Sequence, residues 1–243
     1  MKTALIIPCY NEEKCIADVL QSLLKEVPDA VCIVVNDASS DRTAEIVNEM
    51  ATRSERVVLL DLVINIGIGG AMQTGFRYAL RQGFQYAVKV DGDGQHPANE
   101  ISKLLKPIED NEADFVIGSR FLTHEGFQSY FMRRLGIHVF AFLIPLLTGL
   151  KIKDNTSGFR AYNYDALKFA AEHYPVFDYP EPEEVVLMAK NKFRILEIPV
   201  EMEERKGGTS VLSSPLHAAY YMIKVSFAVV MAAWRKPEQR RKS

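Results

Sequence analysis

The sequence predicts an α/β fold with a mostly parallel central sheet flanked by helices on both faces. Two observations carry this expectation. Short continuous apolar runs alternate with stretches whose apolar residues recur at helical spacing. Several of those runs also end in polar pairs: Asn36–Asp37, Asp91–Asp93 and Ser119–Arg120. In open parallel sheets, ligands bind beyond the carboxyl ends of the strands, so these pairs converge on one edge.

The elements follow in order. "TALIIP" (3–8) reads as a strand and "EEKCIADVLQSLLKE" as an amphipathic helix. "AVCIVVN" (30–36) is the second strand. "SSDRTAEIVNEMATR" is a helix with Ser39, Ser40 and Asp41 as candidate caps. "RVVLLDLVI" holds a third strand, "GAMQTGFRYALRQG" a helix, "YAVKVD" a strand, "NEISKLLKPIED" a helix and "ADFVIGS" (113–119) a strand. The second half changes character. "RRLGIHVFAFLIPLLTGLKIK" (133–153) is apolar, basic at both ends, and carries Pro145, which kinks or splits a helix. "DNTSGFRAYN" (154–163) reads as turns, "EPEEVVLMAKN" as a helix and "FRILEIPVEMEE" as a strand. "SPLHAAYYMIKVSFAVVMAAW" (214–234) is an apolar helix ahead of the basic tail "RKPEQRRKS".

Composition excludes several classes. The 243 residues are 48% hydrophobic and 25% charged, with a net charge of −2, so no broad attraction to nucleic acid is expected. Cys9, Cys15 and Cys32 form an odd set without CxxC spacing and read as buried thiols in a reducing compartment. The start lacks the pattern of a signal peptide, and no apolar run reaches the roughly 20 uninterrupted residues of a confident membrane span. A cytoplasmic chain is expected.

The acids of "VDGDGQHP" (90–97) need a reason to sit side by side at a strand end. An EF-hand loop fails, because its sixth position is His96 and its twelfth Ser102. A plain turn accounts for the composition alone. A divalent site for Mg²⁺ or Mn²⁺ holding a diphosphate accounts also for two carboxylates at the mouth of a buried sheet. Gly92 and Gly94 would let the backbone approach, and Gln95 or His96 would add a contact. "NIGIGGAMQTG" (65–75) misses the dinucleotide fingerprint at Met72, and no P-loop is present.

In this setting the sequence resembles the family-2 glycosyltransferases, in the branch typified by dolichol-phosphate mannose synthases and other polyprenyl-phosphate sugar transferases. The ordered motifs "IIPCYNEE", "VVNDASSDRT", "NIGIGGAM", "VDGDGQHP", "GSRF", "SGFRAY" and "EIPVEMEERKGGTS" carry the likeness across residues 3–210. It implies a GT-A fold, expected over 1–212. The apolar, basic-flanked segments themselves read as interfacial helices in the second half, 133–153 within that domain and a C-terminal apolar helix and basic tail over 213–243. The resemblance implies that Pro8, Tyr10, Glu12, Asn36, Asp37, Asp91 and Gly92 bind the nucleotide. Asp91, Asp93 and Gln95 would hold the metal, and Asp93, Arg120 and Arg205 would serve catalysis. Two positions depart from the family pattern: Asn36 stands where an aspartate is usual, and Val211 where a lysine is.

The implied reaction is an inverting transfer of a hexose-type sugar from a nucleotide-diphosphate donor. With a polyprenyl phosphate as acceptor, Arg120, Arg133 and Arg134 are candidates to hold its phosphate. With a sugar hydroxyl as acceptor, Glu181, Glu183 or Glu184 would act as base. A non-catalytic nucleotide-binding scaffold is the third reading. Basic clusters beside residues 135–150 and 216–234 suggest peripheral attachment to the inner membrane face. An integral membrane partner and a homo-oligomer are compatible with this.

Overall fold

The computed structural model describes residues 2–122, 143–175, 179–203 and 215–238, the side chains of 215–222 excepted. Among them the chain runs β1 (Thr3–Cys9), α1 (Ile16–Glu26), β2 (Ala30–Asn36), α2 (Thr43–Arg53), β3 (Val57–Asp61), α3 (Gly67–Arg81) and β4 (Tyr86–Lys89). It continues through a single 3₁₀ turn, Ala98–Glu100, into α4 (Ile101–Glu109) and β5 (Phe115–Ser119). After a short helical stretch over 143–148 come β6 (Arg160–Tyr162), α5 (Tyr164–His173), α6 (Glu181–Lys190), β7 (Ile195–Pro199) and α7 (Pro215–Trp234).

The strands form one sheet in the order β3-β2-β1-β4-β6-β5-β7. All pairings are parallel except those of β6, which runs antiparallel to both β4 and β5. Alternation along the strands divides the core in two. On β1 and β2, Ala4, Ile6, Ile33 and Val35 face the layer that includes Phe76 of α3, Leu167 of α5, Val186 of α6 and Val229 of α7. Leu5, Ile7, Cys32 and Val34 face the layer of α1, α2 and α4, represented by Leu20, Val47 and Leu104. All three cysteines are buried free thiols, as expected.

The sheet corrects two sequence expectations. The turn-rich "DNTSGFRAYN" contains β6, an inner strand of the sheet, and α5 follows it where no helix was expected. β6 is only three residues long and carries a charged Arg160, so it lacks the apolar run that marks its neighbours. Helix α2 also begins later than its cap candidates, yet Asp41 does bind its start: Oδ1 accepts the Thr43 N–H at 2.9 Å. No described helix is long and apolar enough to cross a membrane.

Candidate active site

The carboxyl ends of β1, β2 and β4 meet at one edge, where two loops are laced together. The Asn11 N–H donates to Ser39 Oγ (2.9 Å), and Asn11 Oδ1 accepts the Ser40 N–H (2.8 Å). The Glu12 N–H donates to Thr43 Oγ1 (2.9 Å) and the Glu13 N–H to Asp41 Oδ2 (3.1 Å). The loop after β2 carries strain: Ala38 sits at φ 55°, a left-handed conformation that costs a side-chain-bearing residue roughly 1–2 kcal/mol. Ala38 follows Asp37, whose Oδ1 accepts the Ile66 N–H (2.8 Å) and whose carbonyl accepts Asn65 Nδ2 (3.0 Å). The start of α3 is thereby tied to Asp37. Glu12, Asn36 and Asp37 are buried at this edge, and Tyr10 is half exposed beside them.

The departure at Asn36 has a local reason. Its Nδ2 donates to Asp61 Oδ1 at 2.7 Å, and its Oδ1 accepts from Ser39 Oγ at 2.5 Å. β2 and β3 pair these two residues in register. An aspartate at 36 would set two carboxylates against each other. Asp61 and Asn65 thus belong to this edge although sequence reasoning did not single them out. The signal for Asp61 was its place at the end of a third strand, and for Asn65 its place at the mouth of a glycine-rich loop.

Beyond β4, Asp93 is buried and Asp91 partly exposed. Gly92 between them is packed tightly: a Cβ there would lie 2.6 Å from Cys9 Sγ. Burial, reinforced by Glu12, Asp91 and Asp93, holds the Cys9 thiol protonated. Asp93 Oδ1 accepts the Gln95 N–H at 3.0 Å, and the Gln95 carbonyl accepts the Glu203 N–H at 3.0 Å. The second contact brings the chain after β7 against the acidic loop. His96 is buried and stacks on Phe159, with ring centroids 4.5 Å apart and planes 8° apart. Its Nδ1 accepts the Asp91 N–H at 3.0 Å, which places the proton of a neutral ring on Nε2, 3.6 Å from Asp91 Oδ2. Burial lowers the His96 pKa from 6.5 to about 4.

Behind these acids lie three ion pairs. Lys89 Nζ meets Glu181 Oε1 at 2.5 Å, and Arg160 Nη1 meets Glu184 Oε2 at 2.6 Å. Lys89 and Arg160 are register partners across β4 and β6, so both pairs tie the start of α6 to the middle of the sheet. Burial opposes the charge on Lys89, but Glu181 and Asp91 outweigh it and raise its pKa. Burial raises the pKa of Glu184 against the pull of Arg160. In the third pair, Arg120 Nε and Nη2 each reach an Asp154 oxygen at 2.7 Å. An anion arriving there would meet a guanidinium already paired with a carboxylate. Glu183, the remaining candidate base, lies 3.7 Å from Arg235. Arg133, Arg134 and Arg205 lie outside the described residues, as does Val211.

Among the described residues, no three His, Cys, Asp or Glu side chains converge on a metal position. The donor set nevertheless suits a hard divalent cation completed by phosphate and water oxygens. Asp91 and Asp93 add two negative charges to three balanced pairs, and a Cβ at Gly158 would lie 3.2 Å from Asp91 Oδ2, so glycine keeps that carboxylate's surroundings open.

Comparison with known proteins adds to this geometry. The family model described as Glycosyl transferase family 2 matches residues 4–169. A UDP-N-acetylglucosamine–dolichyl-phosphate N-acetylglucosaminyltransferase from Methanococcus voltae is 34% identical over 211 residues, covering 81% of this chain and 84% of the relative. A polyprenol monophosphomannose synthase from Mycolicibacterium smegmatis is 32% identical over 216 residues, covering 87% and 81%. A crystal structure of glucosyl-3-phosphoglycerate synthase from Mycobacterium tuberculosis, in complex with Mn²⁺, UDP-glucose and phosphoglyceric acid, matches with a TM-score of 0.71. That match covers 98% of this chain and 81% of the other at 17% identity, and it shows a GT-A-like fold, as expected.

Proposed function

Because this chain belongs to glycosyl transferase family 2, we propose that it moves a hexose-type sugar from a nucleotide-diphosphate donor to a polyprenyl phosphate at the inner membrane face. One observation carries the reading: Asp91 and Asp93 follow β4 on the same sheet edge as Asn36 and Asp37 at the end of β2, with only β1 between the two strands. Pro8, Tyr10, Glu12, Asn36, Asp37 and Gly92 line the nucleoside side. Asp91 and Asp93, with Gln95 alongside, hold Mg²⁺ or Mn²⁺ on the diphosphate. The Mn²⁺ in the mycobacterial neighbour supports this assignment. When bound, the ion neutralises charge that develops on the leaving diphosphate.

This chain's residues orient the reaction. His96 grips Asp91 through its backbone N–H, and the lacing of the β1 and β2 loops fixes the nucleoside edge. A single displacement inverts the anomeric centre. The relatives' names favour a lipid phosphate, and so does the charge pattern. Glu181 and Glu184 each face a buried cation, an arrangement suited to structure more than to proton abstraction. A phosphate acceptor, with a second pKa of about 6, needs no base. Arg120, Arg133 and Arg134 are assigned to the acceptor phosphate and Arg205 to the donor phosphates.

The test is a panel of UDP- and GDP-sugars with polyprenyl phosphate, with Mg²⁺, Mn²⁺ or a chelator. Transfer is expected only with metal, with a loss of at least about 100-fold in Asp91→Asn and Asp93→Asn. Chelator-resistant transfer, or full activity in both variants, would refute the metal site. Transfer only to sugar hydroxyls, lost in Glu183→Gln, would reassign the acceptor.

A further inference from the structure

We propose that one face of α7 is a docking surface for an anionic lipid bilayer. The inference rests on the lipid-phosphate reading above and names the surface that would bring the site to its acceptor. Ile223, Phe227, Met231 and Trp234 are 74%, 67%, 42% and 78% exposed. Their spacings of four, four and three residues put them on one face of the helix. On the other side Val225, Val229 and Ala232 are buried in the core. The helix therefore has one side committed to the protein and one large apolar stripe turned outward. A stripe of this kind is uncommon on a soluble surface.

Charge selects the occupant. Residues 215–234 contain no acid. Lys236 follows the stripe and is exposed, as is Arg235, which also reaches Glu183 at 3.7 Å, and Arg240, Arg241 and Lys242 stand further on in the sequence against the single acid Glu238. A second copy docking on the same face would bring like charges together. A bilayer with anionic headgroups supplies both the apolar phase and the opposite charge. Trp234, at the basic end of the stripe, is a residue type favoured at headgroup level. Because the opposite face is buried in protein, the helix lies on the bilayer and does not cross it.

The surface is coupled to the site by packing. α7 lies against α6, whose first turn holds Lys89 and Arg160 of the central strands. Docking through α7 would thus hold the strand ends in a set orientation to the lipid.

The sequence supplies its own probe, since Trp234 is the only tryptophan. The full chain is titrated, without substrates, with vesicles of phosphatidylcholine alone or mixed with phosphatidylglycerol. Trp234 emission is expected to shift to the blue and become protected from acrylamide with the anionic vesicles, and salt should weaken the effect. The triple variant Ile223→Ser, Phe227→Ser, Met231→Ser should keep its circular dichroism and its transfer to a water-soluble short-chain acceptor, while losing at least 10-fold in vesicle affinity. Unchanged vesicle binding in the variant, or an equal shift with neutral vesicles, would overturn the proposal. So would a concentration-dependent dimer that the same substitutions abolish in a chain that does not bind vesicles. Vesicle binding is read without an acceptor, so a failure of lipid-phosphate transfer leaves this result distinguishable.

Discussion

The Asn36 side-chain amide donates to the Asp61 carboxylate at 2.7 Å across the paired ends of β2 and β3. The pair makes the first prediction. Asn36→Asp replaces a donor with a second carboxylate at a buried position. Stability should fall by about 1–3 kcal/mol at neutral pH, and nucleotide affinity should fall with it. Adding Asp61→Asn should restore most of both. Urea unfolding and calorimetric nucleotide titration of the four-member cycle measure the coupling.

Gly158 makes the second. A Cβ there would lie 3.2 and 3.4 Å from the two Asp91 carboxylate oxygens. Asp91 is partly exposed and able to yield, so Gly158→Ala should fold with little loss of stability. Its metal affinity, read from Mn²⁺ binding by paramagnetic resonance, should drop roughly 10-fold or more as the carboxylate is displaced.

The buried pair of Arg160 and Glu184 supports a third. Arg160 also donates to the carbonyls of Ser157, Glu181 and Asn155. Arg160→Met should cost about 3–5 kcal/mol, because it strands a buried carboxylate. The double variant with Glu184→Met should recover part of that loss. Denaturant midpoints of the two variants test the difference.

A fourth concerns acid stability. The folded His96 pKa is lowered by burial from 6.5 to about 4, so the folded ring stays neutral where the unfolded one is charged. The contribution of His96 to stability is complete above about pH 6.5 and is lost as pH falls towards 4. The slope is about 1.4 kcal/mol per pH unit, or roughly 3 kcal/mol in all. His96→Gln should be less stable at pH 7 and show a flatter profile between pH 6.5 and 4. Thermal melts across that range decide it.

The legible parts of the fold were those with local signals. β1 to β5 and β7 stood out as apolar runs, and the acids of β4 could be placed at a sheet edge from their neighbours alone. β6 was hidden because a strand of three residues with a buried arginine looks like a turn. α5 was missed although Asn163 caps it, accepting the Ala166 N–H at 2.9 Å. The partners of the charged residues were illegible for a different reason. Asp61 lies 25 residues from Asn36, Asp154 34 from Arg120 and Glu181 92 from Lys89, so only the folded chain could pair them. The candidate bases looked like an acidic helix start, and the fold gave two of them buried counterions.

The antiparallel β6 also governs the order in which the molecule can be completed. β4 and β5 follow one another in the chain but do not touch as strands, since β6 lies between them. During synthesis, β1 to β4 can assemble into a four-stranded parallel half, while β5 has no strand to join until residues 160–162 emerge. Until then the edge of β4 is an open ladder beside the acids of the site. Closing the sheet also buries Arg160 and Lys89, which become neutralised only when the start of α6 follows. The strand that joins the two halves and the helix that balances their charge are thus late arrivals, and the edge that carries the candidate site can be completed only after most of the protein has been made.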